Sequence, residues 1–193
     1  MFRNQDMSEP SVAAREHLGY LGSMWTMMLM MLACVDEEPE AEPVDVSLIE
    51  AEAWVLLGSS EDPWDDRPAD AACSALGYEV EGPYFEIDTE LCPYGTFSQP
   101  ALHGVREGDE LTIVYWYLDL WSTDYGAEGH VAISVGGEVL VEEFIEIPAD
   151  AEVRPSVLSA PRDIAEGEEI TFHIHNHGYN NWSMGTFEAL TVP

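Results

Sequence analysis

From residue 46 to the C-terminus, short apolar runs alternate with turn residues, and that texture predicts β-strands divided by loops. Residues 46–57 read as a first strand, although Glu50-Ala51-Glu52-Ala53 also suits a helix. Residues 58–68 form a loop, and 69–76 a short helical turn ended by Gly77. Strands follow at 84–88 and 96–99. Residues 110–120 carry apolar side chains on both parities, so this strand is central and covered on both faces. Val131, Ile133 and Val135 alternate with Ala132 and Ser134, and Gly136-Gly137 makes a two-residue hairpin turn into 138–141. The run 144–147 continues past a bulge, since its apolar parity is uneven. Strands at 154–159, 168–176 and 187–192 close the chain. The expected architecture is all-β: an antiparallel sandwich or jelly roll of eight or nine short strands.

A local repeat supports that architecture. Residues 105–113 (VREGDELTI) parallel residues 164–172 (IAEGEEITF), each a Gly-acid turn leading into a β-branched strand. Three stretches carry a family likeness: Phe85-Glu86-Ile87-Asp88, the run at 108–113, and His177-Gly178-Tyr179-Asn180-Asn181-Trp182. In these the region 46–193 resembles galactose-binding-domain-like jelly rolls. The resemblance implies an exported binding module and establishes no ligand, carbohydrate being the first expectation.

The N-terminal region has a different pattern. Arg3 and Arg15 precede an apolar run that ends in Met31-Leu32-Ala33-Cys34, and acids follow at Asp36-Glu37-Glu38. A basic flank, an apolar core and a small residue before a cut site make a secretory signal. The last four residues of the run resemble the lipobox of bacterial lipoproteins. That resemblance implies cleavage after residue 33 and lipidation, palmitate included, of Cys34. A transmembrane helix, which needs about 20 apolar residues, and an ordinary cleaved signal are the competing readings. Residues 34–45, acid-rich with Pro39 and Pro43, read as an extended tether, leaving 46–193 as one domain. The implied place is the bacterial cell envelope, anchored to the membrane on its extracytoplasmic side. Val35 after the cysteine slightly favours the outer membrane.

Charge narrows the partners. The chain has 38 Asp and Glu against 6 Lys and Arg, a formal net charge of −32. There is no lysine, and only Arg67, Arg106, Arg154 and Arg162 follow Cys34. Such a field repels nucleic acid and anionic lipid. With Cys34 acylated, Cys73 and Cys92 remain as an even pair in an oxidising compartment, and a disulfide between them is expected.

Candidate chemistry concentrates in two places. In Phe172-His173-Ile174-His175-Asn176-His177, strand periodicity turns Phe172 and Ile174 to the core and His173, His175 and His177 to the other face. Same-face neighbours lie about 7 Å apart, so two imidazoles can meet on one Zn²⁺, Ni²⁺ or Cu²⁺ ion, completed by a carboxylate and by His130 or His103. The competing reading is a solvated polar face. The second place is a pair of aromatic loops holding Trp121, Tyr125, Tyr179, Asn180 and Trp182, where rings stack on sugar faces and amides grip hydroxyls. Asp62, Asp65, Asp66 and Asp70 offer a weak Ca²⁺ signal without an ordered calcium loop. No G-x-S-x-G is present. The leading function is a lipid-anchored carbohydrate-binding module. A metal-binding protein or metalloenzyme using the histidine row, and a structural lipoprotein whose partner is an envelope protein, are the alternatives.

Overall fold

A computed structural model describes residues 42–192 of the 193-residue chain. Cys34, the expected signal segment 1–33 and most of the expected tether 34–45 lie outside the described residues.

The domain is a β-sandwich of two antiparallel sheets. Its strands are β1 (Val44–Ser47), β2 (Val55–Leu56), β3 (Tyr78–Glu81), β4 (Tyr84–Asp88), β5 (Tyr94–Pro100), β6 (Glu110–Tyr117), β7 (Glu128–Val135), β8 (Glu138–Glu146), β9 (Glu152–Ser159), β10 (Glu169–Asn176) and β11 (Asn181–Thr191). The first sheet runs β3-β4-β11-β6-β9, with β1 also paired to β11. The second runs β2-β5-β10-β7-β8. Eleven strands replace the eight or nine expected, and β1 begins two residues before the boundary at 46.

The extra strands have physical causes. The single strand expected at 46–57 divides between the sheets: β1 pairs with β11, while β2 pairs with β5. Leu48 and Ile49 drop into the core between them, and a short 3-10 turn at Ala51–Ala53 carries the chain across. The missed strand β3 pairs with β4 around Gly82-Pro83. No helical turn forms over 69–76. That stretch is turns and irregular backbone tied down by a disulfide between Cys73 and Cys92. Closing this loop of 19 residues stabilises by about 3 kcal/mol in the chain-entropy view.

Elsewhere the pattern carries through. Leu111, Ile113, Tyr115 and Tyr117 on β6 are buried, as are Ile170, Phe172 and Ile174 on β10. The outer face of β6, with Val114 and Trp116, is only half-buried, so the expectation of cover on both faces is met on one side alone. The Gly136-Gly137 hairpin joins β7 to β8, and the bulge falls at Leu140, opposite Ile133 and Ser134, inside the 138–141 run rather than after it as expected. The two repeats face one another: Val105 and Ile164 bridge, each donating its amide to the other's carbonyl. Asp109 caps the amide of Arg106 as Glu168 caps that of Ala165, both at 3.0 Å. Gly108 and Gly167 take φ of 90° and 84°, which side-chain-bearing residues rarely adopt. These matching turns start β6 and β10, each an interior strand of its sheet.

Candidate functional site

Strand register assembles a polar patch on the outer face of the second sheet. His173 lies between Thr96 of β5 and Ala132 of β7, and His175 lies between Tyr94 and His130. His130 therefore sits directly opposite His175 and diagonal to His173, with the His130 and His173 rings 5.0 Å apart. The small side chain of Ala132 leaves room for both rings.

This patch is not a solvated face. The long segment between β2 and β3 lies over it. Trp64 stacks on the His173 ring at 4.9 Å and sets its edge on His130 at 5.4 Å. His173 is fully buried and His130 nearly so, at 0% and 6% exposed. A long connection without regular structure is uncommon unless it is functional.

Two aspartates of the segment point inward. The Asp62 side chain, 1% exposed, accepts hydrogen bonds from Tyr94 Oη at 2.7 Å, Thr96 Oγ1 at 2.8 Å and Arg67 Nη1 at 2.9 Å. Burial alone would raise its pKa, but these donors outweigh burial and hold the carboxyl below the usual range. Burial, together with the bond to Asp62, pushes the Tyr94 phenol up. Asp66 presents one oxygen, Oδ2, to three imidazoles: His175 Nδ1 at 2.8 Å, His130 Nδ1 at 3.2 Å and His173 Nε2 at 3.8 Å. Burial would raise the Asp66 pKa, but the bonds from His175 and His130 overcome that cost and lower it. Burial drives the pKa of His173 down to about 3, against the pull of Asp66, so this imidazole is neutral.

The outer partners of the histidines are defined as well. His130 Nε2 lies 3.2 Å from Glu142 Oε1, and His173 Nδ1 lies 2.8 Å from Thr96 Oγ1. Thr96 Oγ1 donates its hydrogen to Asp62, so it accepts the hydrogen bond from His173 Nδ1–H. His173 is thus the Nδ1–H tautomer with a bare lone pair on Nε2.

The row of three histidines expected from strand periodicity is divided by this arrangement. His173 is in the cluster, His175 bonds its carboxylate from the rim, and His177 is exposed, stacked on His175 at 4.5 Å. His103 is exposed in the loop after β5 and takes no part. The four loop aspartates do not form an oxygen cage: Asp62 is spent on three donors, Asp66 faces nitrogen, Asp65 is exposed, and Asp70 lines a separate cleft.

That cleft, of about 420 Å³, opens beside the cluster. Its lining includes Pro68, Asp70, Ala72, Tyr94, Asp124, His175, His177 and Tyr179. Tyr179 is half-exposed and packs on the exposed Trp121 at 4.6 Å, the two also bridged through the backbone. Tyr125 is fully exposed and lies outside the cleft lining. Asn180 is structural, its amide donating to Leu118 O at 3.0 Å. Trp182 corrects the expectation of a loop aromatic. It is 0% exposed, packed on Tyr117 at 4.9 Å inside the sandwich, because it is already the second residue of β11.

No known protein-family profile matches the sequence. No curated protein matches it either. Solved structures similar in shape include the K3 cleaved adhesin domain of Lys-gingipain from Porphyromonas gingivalis, at 12% identity and TM-score 0.45, covering 77% of this chain and 100% of that one. A family 29 carbohydrate-binding module complexed with cellulohexaose has 18% identity and TM-score 0.41, over 77% of this chain and 91% of that one. The C-terminal family 6 carbohydrate-binding module of a marine laminarinase from Zobellia galactanivorans has 12% identity and TM-score 0.40, over 77% and 100%. The assignment of the sandwich rests on the strand pairing of its two sheets.

Proposed function

We propose that the protein is a lipid-anchored, extracytoplasmic binding module that holds a neutral carbohydrate in the cleft beside Tyr179 and does no chemistry on it. The observation that carries this reading is the composition of the cleft. The lining combines an aromatic face, Tyr179 backed by Trp121, with hydrogen-bonding side chains, Asp70, Asp124 and His177, and holds no Lys or Arg. Aromatic rings stack on the C–H faces of sugars, and carboxylates accept from hydroxyls. Acids without counter-cations disfavour anionic ligands.

A glycan array and calorimetry with the purified full chain test the reading. Binding to a neutral polysaccharide is expected, with Tyr179→Ala weakening it about tenfold, roughly 1.4 kcal/mol. Silence across neutral polysaccharides with the fold intact ends it. Anchoring is tested separately. Radiolabelled palmitate should enter the wild-type protein in a bacterial host and not Cys34→Ser, which should move from the membrane to the soluble fraction. An unlabelled wild-type protein with an uncut leader would remove the anchor.

A further inference from the structure

We propose that Asp66, His130 and His173 form a transition-metal site of the zinc class, pinning the segment between β2 and β3 onto the second sheet. The ligand atoms of these three residues lie within 4.8 Å of one another. A tetrahedral ion with bonds of about 2.0–2.2 Å separates its ligand atoms by roughly 3.3–3.6 Å. The measured distances from Asp66 Oδ2 to His130 and His173, 3.2 and 3.8 Å, bracket that spacing. The fourth place falls to water, since His175, which hydrogen-bonds the same Asp66 oxygen through Nδ1, lies outside the group.

The hydrogen bonds of the cluster are also incomplete. His173 Nε2 is completely buried and has no hydrogen-bond partner among the described residues. It carries a lone pair, and what it faces is a carboxylate, which accepts and cannot donate. The Asp66 side chain is 34% exposed but Nε2 is not, and a fully buried lone pair turned toward an acceptor is unfavourable unless a cation sits between them. His130 has the same difficulty on a second count. Both of its nitrogens lie 3.2 Å from carboxylate oxygens, Asp66 on one side and Glu142 on the other, and a neutral imidazole has only one N–H to give. The second carboxylate is met either by a second proton on the ring, as when His130 donates to Asp66, or by a metal ion on Nδ1 when Nε2–H goes to Glu142.

The outer partners match what metal ligands need. A ligating imidazole donates its second N–H to a carboxylate or another acceptor, which fixes the tautomer and the ring plane. Glu142 does this for His130, and Thr96 does it for His173, with Asp62 in turn holding the Thr96 hydroxyl. Trp64 covers both rings and keeps bulk water from the buried side. The donor set is nitrogen and oxygen, since Cys73 and Cys92 are bonded to each other. That choice suits Zn²⁺, Co²⁺, Ni²⁺ or Cu²⁺ over Ca²⁺, which takes six to eight oxygens. The ion would also steady Pro68–Ala72, the wall of the cleft, but the site does not depend on what the cleft binds.

The test uses the full chain, freed of metal with a chelator and then titrated with Zn²⁺ or Co²⁺. Wild type is expected to bind one equivalent tightly, with Co²⁺ giving the visible absorption of a four-coordinate nitrogen–oxygen site. Asp66→Asn and His130→Gln are expected to weaken binding more than about 100-fold, beyond the 10- to 100-fold typical of losing an outer partner. His103→Gln should match wild type. Asp66 lies on the surface segment, so Asp66→Asn keeps the fold testable, and its circular dichroism should equal that of metal-free wild type. No stoichiometric uptake by wild type would overturn the site. Uptake that Asp66→Asn and His130→Gln leave unchanged would overturn it too, since it would locate the metal on the acidic surface.

Discussion

Replacing Asp62 by alanine is expected to destabilise the domain by about 3–5 kcal/mol, because three donors lose one buried acceptor at about 1–3 kcal/mol each. The Asp62 side chain is 1% exposed and is the common acceptor for Arg67, Tyr94 and Thr96. Without it three donors lose their acceptor, two of them on the buried strand β5, and the guanidinium of Arg67 loses its counter-charge. Tyr94 carries Arg67 over its ring at 5.0 Å, so the arginine would shift as well. Thermal or denaturant unfolding of Asp62→Ala against wild type measures the effect. The pH dependence has a definite sign. The folded-state pKa lies below the reference value of 3.8, so the contribution of Asp62 is complete above that value and is lost as pH falls through the folded one. Wild type should therefore lose stability in acid more steeply than Asp62→Ala. A variant with unchanged stability would mean that water replaces the carboxylate at no cost.

Trp182→Ala is expected to cost a similar 3–5 kcal/mol or so, for a different reason. Trp182 is the largest fully buried side chain, stacked along Tyr115 at 6.3 Å and tilted on Tyr117 at 4.9 Å. Its truncation empties volume in a close-packed core whose neighbours sit on paired strands and collapse poorly. Gly129 shows how tight the fit is: a Cβ there would come within 2.9 Å of the indole. Trp182→Phe should cost less than half as much, because the ring is partly retained and the indole N–H has no acceptor to lose among the described residues. Denaturant midpoints of the two variants give the comparison. A small loss for Trp182→Ala would place the residue in a yielding part of the fold.

Both residues show how sequence and structure divide the information. Asp62 and Asp66 look alike in the run Asp62-Pro63-Trp64-Asp65-Asp66-Arg67, where every acid is equally plausible as solvated surface. Nothing local distinguishes the one that binds Thr96 and Tyr94 from the one that meets histidine, since those partners are far along the chain. Trp182 sits beside Asn180 and Asn181, whose turn propensity suggested a loop, yet β11 has already begun at Asn181. For His130 a signal was present: Val131, Ile133 and Val135 face inward, so His130 faces out with His173 and His175. Only the register between β7 and β10 turns that shared face into contact.

The sequence alone determined what depends on neighbours along the chain. Period-two alternation set the strands and the inward face of β10, Gly-acid turns set the starts of β6 and β10, Gly136-Gly137 set a hairpin, and Cys73 and Cys92, the two cysteines after residue 34, set the disulfide. The tertiary structure decided which strands share a sheet, that the chain between β1 and β2 crosses from one sheet to the other, and that an acidic segment folds over the histidines. Those outcomes come from burial and hydrogen-bond satisfaction between residues far apart in the chain. A polar strand face is solvated or buried according to what lies above it, and here Trp64 and two aspartates do.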